Sequence, residues 1–153
     1  MKRILAQIFG YRFKGMLSLA NIAEGTHEDG ITKLSDASIA SRFRLVKFGS
    51  DADHIALNGE NDMPLGVCTD EPGAAEVPAD VKFLGQANST RTMVAIEAIA
   101  VNVEVFTANN GKIQNEPTVA GTYYKVGKTL TPAAANNDEI EVESCYPVKF
   151  VVV

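Results

Sequence analysis

The chain has 153 residues and a mass of 16.4 kDa, a length expected for one domain with a core of its own. Its net charge of −5 and its pI near 5.0 argue against a general nucleic-acid-binding protein, which would present a basic face. We therefore expect no direct contact with nucleic acid. No run approaches the ~18 apolar residues of a membrane-spanning helix, so we also expect no membrane partner.

The first 30 residues differ from the rest of the chain in charge and in pattern. Lys2, Arg3, Arg12 and Lys14 place four of the 14 basic side chains, and none of the 19 acidic ones, near the start. The apolar run at the start is too short and too soon interrupted for a signal peptide. Residues 1–30 show no sustained period, which predicts an extended arm. Its basic tip either contacts an acidic partner or is simply a solvated terminus.

One segment after the arm has a helical pattern. Ile31, Leu34, Ala37 and Ile39 in ITKLSDASIA lie near helical spacing and predict one short helix. From about residue 41 onward, short strand-forming runs are bounded by Gly, Pro, Asn or Asp, which predicts many short strands. The expected fold class is therefore mainly β: a small single-domain β-barrel or β-tulip-like fold over residues 31–153, with the arm and at most one short helix.

The predicted strands form a regular series with one sharp turn signal. In chain order they are SRFRLVKFG, DHIAL, PLGVCTD, DVKFLG, TMVAI, NVEVFTA, GKIQ, YYKVGKTL and EIEVESCY. Within VFTANNGKIQ, Asn110 and Gly111 suit a two-residue turn with positive φ. The two runs that flank this turn are therefore predicted to form a hairpin.

An internal repeat aligns residues 65–84 with residues 126–145 without a gap. Gly66 falls on Gly127, and each copy has a strand with a glycine, an alanine-rich loop and an acid-flanked strand. The repeat predicts two equivalent strand–loop–strand units packed in one barrel. Chance similarity between alanine-rich loops is the alternative explanation.

The chain ends in VKFVVV, an apolar strand-forming run that would be prone to aggregate if it stayed uncovered. We expect a paired β-strand, whose partner lies either in the same sheet or in a neighbouring subunit. Pro147 lacks an N–H and is predicted to mark a break or an edge before the run. The residues assigned to this pairing are Val148, Phe150, Val151, Val152 and Val153.

No arrangement of reactive side chains in the sequence indicates catalysis. His27 and His54 lie beside acidic residues but lack the spacing of a metal or cofactor motif. Cys68 and Cys145 lie in strand-like runs outside any CxxC motif, which indicates buried free thiols unless the fold brings the two together. We therefore expect no enzyme activity, no cofactor and no bound metal.

Three stretches of the chain share a pattern of small residues and glycines. In PLGVCTDEPGAAEVPADVKFLG, AIAVNVEVFTANNGKIQ and KVGKTLTPAAANNDEIEVES, glycine-containing strands, alanine-rich loops and a central xxG hairpin recur. In this pattern the chain resembles the capsid decoration (cement) proteins of tailed bacteriophages. The resemblance covers roughly residues 60–145, and Asn102 stands where that family commonly has a glycine.

The resemblance implies a compact β-barrel or β-tulip protein, often a homotrimer, on the outer surface of an assembled phage head. Such a protein would bind the major capsid protein lattice and brace the head against the pressure of the genome. It would be made and assembled in the host cytoplasm and would end in the virion. The arm residues implied as capsid contacts are Lys2, Arg3, Ile4, Leu5, Phe9, Arg12, Phe13 and Lys14.

A carbohydrate- or cell-surface-binding β-module, free or displayed on a virion, is the alternative function. Such a module is expected to present exposed aromatic rings. The candidate tyrosines are Tyr11, Tyr123, Tyr124 and Tyr146. In GTYYKVG, the alternation of a strand predicts one ring pointing inward and one outward.

Overall fold

The computed structural model describes residues 29–86 and 89–153, which form two five-stranded sheets. The first sheet closes into a barrel in the order β1-β3-β2-β4-β5, and the second has the order β6-β10-β9-β7-β8. The first barrel consists of β1 (Gly30–Ser35), β2 (Arg44–Phe48), β3 (His54–Leu57), β4 (Gly66–Cys68) and β5 (Pro78–Phe83). The second sheet consists of β6 (Thr90–Val94), β7 (Glu104–Thr107), β8 (Ile113–Gln114), β9 (Gly121–Thr129) and β10 (Glu139–Val152). The mainly β fold class and the series of short strands are confirmed.

The hairpin predicted at Asn110 and Gly111 is also confirmed. Strands β7 and β8 pair antiparallel, and φ is 59° at Asn110 and 64° at Gly111. The backbone N–H of Lys112 donates to the carbonyl of Asn109 at 3.4 Å and closes the turn. Asparagine and glycine are the residues that tolerate this left-handed geometry best, which is why the dipeptide was a sharp signal.

The helix predicted over ITKLSDASIA is wrong, because Gly30–Ser35 form β1. This strand pairs antiparallel with β5 and parallel with β3. Lys33 and Ser35, two residues apart, are its buried positions, so burial follows the period of a strand. Two ladders of main-chain hydrogen bonds outweigh a weak local helical pattern. Among residues 29–86 and 89–153, no helix is long and apolar enough to cross a lipid bilayer.

The repeat seen in the sequence reflects two units with the same strand pairing. In the first unit Gly66 pairs with Phe83, and in the second Gly127 pairs with Ser144, which is the counterpart of Phe83 in the repeat alignment. The two glycines occupy the same kind of contact. A Cβ on Gly127 would lie 2.5 Å from the carbonyl oxygen of Glu143, and one on Gly66 would meet the carbonyl oxygen of Lys82. Glycine is required at both places for this close approach of the backbone.

The similarity extends beyond the two aligned segments to both sheets in full. Strand order β3-β2-β4-β5-β1 in the first unit matches β8-β7-β9-β10-β6 in the second. The parallel pairing of Ser35 with Ile55, which closes the first barrel, has its counterpart in an isolated parallel bridge between Ala95 and Ile113. The chain is thus a tandem pair of one five-stranded unit. The expectation that the repeated segments pack in one barrel is wrong, because each belongs to its own sheet.

A left-handed residue shared by the two units explains one departure from the decoration-protein pattern. Phe43 before β2 has φ of 61°, and Asn102 before β7 has φ of 67°. The N–H of Phe43 donates to Cys68, and that of Asn102 donates to Thr129. A glycine suits such a position best and an asparagine next, so Asn102 preserves the conformation that a glycine would adopt there.

The two units share one hydrophobic core. Leu45 of β2 and Val67 of β4 are fully buried, although both point away from the interior of the first barrel. They belong to the same buried cluster as Met93, Ala95 and Ile113 of the second unit. The interior of the first barrel forms a separate buried cluster. The strands that close the second sheet meet in an isolated bridge, and the outer face of β2 and β4 covers the core of this sheet.

The corresponding outer face of the second unit is polar. Leu45 pairs with Val67 in the first unit, and Glu104 pairs with Lys128 at the equivalent place in the second. Glu104 and Lys128 are exposed. The same position is therefore apolar where the other unit covers it and charged where it is exposed to solvent.

The buried contact between the units should dominate stability. We expect Leu45→Ala to lower the free energy of unfolding by about 2–5 kcal/mol, because it leaves a cavity in the shared core. The matched control is Lys128→Ala, on the equivalent but exposed face, which should change it by less than about 0.5 kcal/mol. Urea denaturation followed by circular dichroism measures both. Equal and small effects would show that this face does not seal the core.

Candidate interaction surface

The most conspicuous surface feature is a two-stranded ribbon at the end of the chain. We define the C-terminal ribbon as residues Gly121–Lys125 of β9 with Val148–Val152 of β10, which pair in antiparallel register from Val148↔Lys125 to Val152↔Gly121. Pro147 does not end the strand. It lies in the register shift between Ser144 and Val148, where a missing N–H interrupts no ladder bond.

One face of the ribbon is covered around Phe150 and exposed at Val148, and the opposite face is exposed. The ring of Phe150 packs on that of Phe106 with centroids 4.9 Å apart, so this face lies on the second sheet. On the opposite face Val151 is 53% exposed and Val153, just beyond the strand, is fully exposed. In the described part of the chain, residues beyond Ser144 pair with β9 alone, so the second edge of β10 is open. An open apolar edge of this kind is a surface for pairing or docking.

An apolar groove lies beside the base of the ribbon. Its volume is about 640 Å³, and residues from the end of β2, the segment before β4, the segment after β5 and β10 line it. Phe48 is 55% exposed, Met63 48% and Tyr146 69%. At its rim Lys47 Nζ donates to Asp62 Oδ2 at 2.7 Å. Exposed large apolar side chains gathered in one concave place are typical of a contact surface.

Gly85 brings the ribbon and the groove together. Its φ is 73°, and a Cβ there would collide with the backbone of Tyr146. Its N–H also donates to the hydroxyl of Ser144 at 3.3 Å. Glycine therefore lets the end of the first unit pass directly against β10, which places Tyr146 and Pro147 over the groove.

A polar cluster around His54 connects Asp51 with Glu76 on the surface of the first barrel. His54 Nδ1 lies 2.6 Å from Asp51 Oδ1, and its Nε2 lies 3.1 Å from Glu76 Oε1. The pKa of His54 is raised, chiefly by its hydrogen bond to Asp51 and further by the one to Glu76. The same contact lowers the pKa of Asp51. Two carboxylates around one imidazole favour its protonated form.

The cysteines and tyrosines that the sequence singled out have structural roles in the described residues. Cys68 and Cys145 are free thiols, and burial raises the pKa of each. Cys68 belongs to the core of the first barrel. Within the described residues, no group of three His, Cys, Asp or Glu side chains is arranged to hold a metal ion. Tyr123 is buried, with its hydroxyl donating to Val119 O, whereas Tyr124 is partly exposed, as strand alternation predicts.

The structure treats the two sets of predicted contact residues differently. The arm residues Lys2 to Lys14 lie outside the described residues, as does Tyr11. The C-terminal residues Val148 to Val152 form the ribbon, and Val153 follows it. Tyr146, a candidate exposed tyrosine, lies in the groove, whereas Phe48 and Met63 were not predicted, since only the fold brings these distant positions together.

The fold and this surface together define a class of protein: a tandem pair of five-stranded β-barrel-like units with a C-terminal ribbon. The structure of this chain is similar to the crystal structure of the head fiber gp8.5 N base in bacteriophage phi29, with a TM-score of 0.53 and 16% sequence identity. The similarity covers 74% of this chain and 90% of that one. At this identity the likeness shows a shared fold. No protein-family model matches the chain, and no curated protein matches it.

The contact of His54 makes stability depend on pH. Because its folded-state pKa is raised, His54 adds stability that is fully present below its ordinary value of 6.5 and is lost as pH rises through the folded value. Asp51, with a lowered pKa, adds stability that is present above its ordinary value of 3.8 and lost as pH falls through the folded value. The pair should therefore contribute most between these two ordinary values.

A titration followed by NMR tests this directly. The imidazole signal of His54, assigned by its absence in His54→Gln, should titrate with a midpoint above that of an ordinary histidine. Asp51→Asn should lower this midpoint, because it removes the principal hydrogen-bond partner. A midpoint in the wild type at or below the ordinary value would refute the predicted ion pair.

Proposed function

We propose that the protein is a capsid decoration (cement) protein, a homotrimer that binds the outer surface of the major capsid protein lattice and stabilises a phage head. The observation that carries the proposal is the fold shared with the head fiber base of bacteriophage phi29. The likeness of residues 60–145 to decoration proteins supports it from the sequence. The protein would act in the virion, after assembly in the host cytoplasm.

The physical features of the surface suit a brace. A brace needs contact area and hydrogen-bonding edges, and it needs no reactive side chain. The open edge of β10 offers main-chain donors and acceptors, which a partner strand can use whatever its side chains are. The apolar groove offers area that becomes favourable when it is covered.

The root of the arm is held in the fold. The N–H of Phe83 donates to the carbonyl of Asp29 at 2.9 Å, and the carboxylate of Asp29 pairs with Arg91, a residue that is 8% exposed. Asp29 therefore connects the last strand of the first unit to the first strand of the second. An arm that binds the capsid would transmit force to both units through this point.

A carbohydrate- or cell-surface-binding module is the second candidate. The observation in its favour is that the rings of Tyr146 and Phe48 are both exposed in the groove. Aromatic faces of this kind can stack on a sugar. Binding of a glycan array by the full chain, without binding to capsids, would favour this candidate over the first.

Cosedimentation with phage heads that lack the protein is the direct test. The full chain should pellet with the heads in a saturable way and should raise the temperature at which they release DNA. Binding should not depend on added nuclease, because we expect no contact with nucleic acid. A chain that stays in the supernatant at every concentration would contradict the proposal.

Deleting residues 1–14 should weaken binding to heads while leaving the β-structure folded. The deleted segment combines apolar side chains with Lys2, Arg3, Arg12 and Lys14. Full-length binding should weaken with added salt, because exposed charges are screened beyond about 8 Å at physiological ionic strength. A variant with these four residues changed to alanine should lose the salt-dependent share alone. Binding by the deletion as tight as that of the full chain at low salt would rule out a contact by the arm.

A further inference from the structure

The C-terminal ribbon has no counterpart in the first unit. There β4 begins at Gly66 and β5 ends at Phe83, whereas β9 begins six residues before Gly127 and β10 continues to Val152. The first barrel closes without any such extension. The ribbon is thus an addition to a unit that closes without it, and its exposed edge calls for a different role.

The apolar groove lies where the first unit lacks a ribbon. Residues 62–65 and 83–86 line it, and in the repeat alignment they correspond to residues 123–126 and 144–147, where the second unit has the base of its ribbon. The first unit therefore leaves open the place that the second unit fills with two strands.

The exposed face of the ribbon matches the groove in polarity. Val151 on the ribbon is 53% exposed, and in the groove Phe48 is 55% and Met63 48% exposed. Both surfaces are apolar with a charged rim. Burying each against the other removes from water side chains that the isolated chain leaves exposed.

Charge favours the same contact. The ribbon itself contains two basic residues and no acidic one: Lys125, whose Nζ lies 3.0 Å from Glu104 Oε1 of the neighbouring strand, and Lys149, which is exposed. The first unit is acidic as a whole, with ten Asp or Glu and five Lys or Arg between residues 29 and 86, although Asp62 at the groove already pairs with Lys47. A basic ribbon and an acidic barrel attract each other between chains.

We propose that the C-terminal ribbon of one copy docks in the groove of a second copy. The occupant of the groove is the outer face of the ribbon around Val151, and each chain gives one ribbon and receives another. Such a head-to-tail contact uses two different surfaces and generates a closed ring when the rotation closes. The proposal deepens the proposed function by naming the contact that would hold its homotrimer together, and it can hold whether or not the ring binds heads.

Two full-length variants test the contact by complementation. Val151→Asp places a charge on the ribbon and leaves the groove intact, and Phe48→Asp does the reverse. Both positions are more than half exposed, so we expect both variants to fold. Each alone should be monomeric in mass photometry and sedimentation. An equimolar mixture should form a one-to-one dimer, because one intact ribbon meets one intact groove.

Val101→Asp is the matched control, since Val101 is 53% exposed like Val151 but lies outside both surfaces. It should assemble as the wild type does. A wild type that is monomeric at all accessible concentrations would overturn the proposal, as would either variant that still assembles. Monomers that do not combine on mixing would indicate a symmetric contact and would also overturn it, as would loss of assembly in the control.

Binding of the variants to heads separates this inference from the proposed function. Monomeric variants that still bind heads would leave the capsid role intact and show that the ring is a separate property. A wild type that forms the ring but does not bind heads would support the docking contact and contradict the capsid role.

Discussion

The packing of the outer face of β2 and β4 against the second sheet is the contact on which the rest of the structure depends. Leu45 and Val67 lie outside the first barrel and are nonetheless fully buried, because they cover the core of the second unit. This contact sets how one unit lies on the other. It therefore also sets the position of the ribbon, which belongs to the second unit, relative to the groove, which is lined largely by the first.

The two units show how one backbone can serve two environments. Their strand order, register and glycine contacts agree, whereas the side chains at equivalent outer positions differ. Val67 is covered and Lys128 is solvated, although each lies next to a glycine that the backbone requires. The two units thus share their backbone constraints and differ in the side chains that those constraints leave free.

Local signals were enough to predict the strands and the hairpin but not the relation between the units. Asn110 and Gly111 have a strong conformational preference of their own, and the short runs bounded by turn residues needed no long-range information. The helix was predicted wrongly because the burial of Lys33 and Ser35 depends on strands far away in sequence. The repeat was visible only where its glycines and alanines coincide, so it covered only the last two of the five strands of each unit.

The candidate surface could be predicted only in part for the same reason. VKFVVV is contiguous and its composition alone predicted a paired strand, whereas Phe48, Met63 and Tyr146 become neighbours through the fold. A groove of this kind has no signature along the chain, since exposed apolar residues are common one at a time and informative only when gathered.

A cryo-electron microscopy reconstruction of a phage head that carries the protein tests the central claim most directly. The account predicts density for two five-stranded units on the outer surface of the capsid lattice, in a ring around a symmetry axis. Heads assembled without the protein should lack that density and otherwise keep the same lattice. Density inside the shell, or heads of the complete phage that carry none of this protein, would contradict the account.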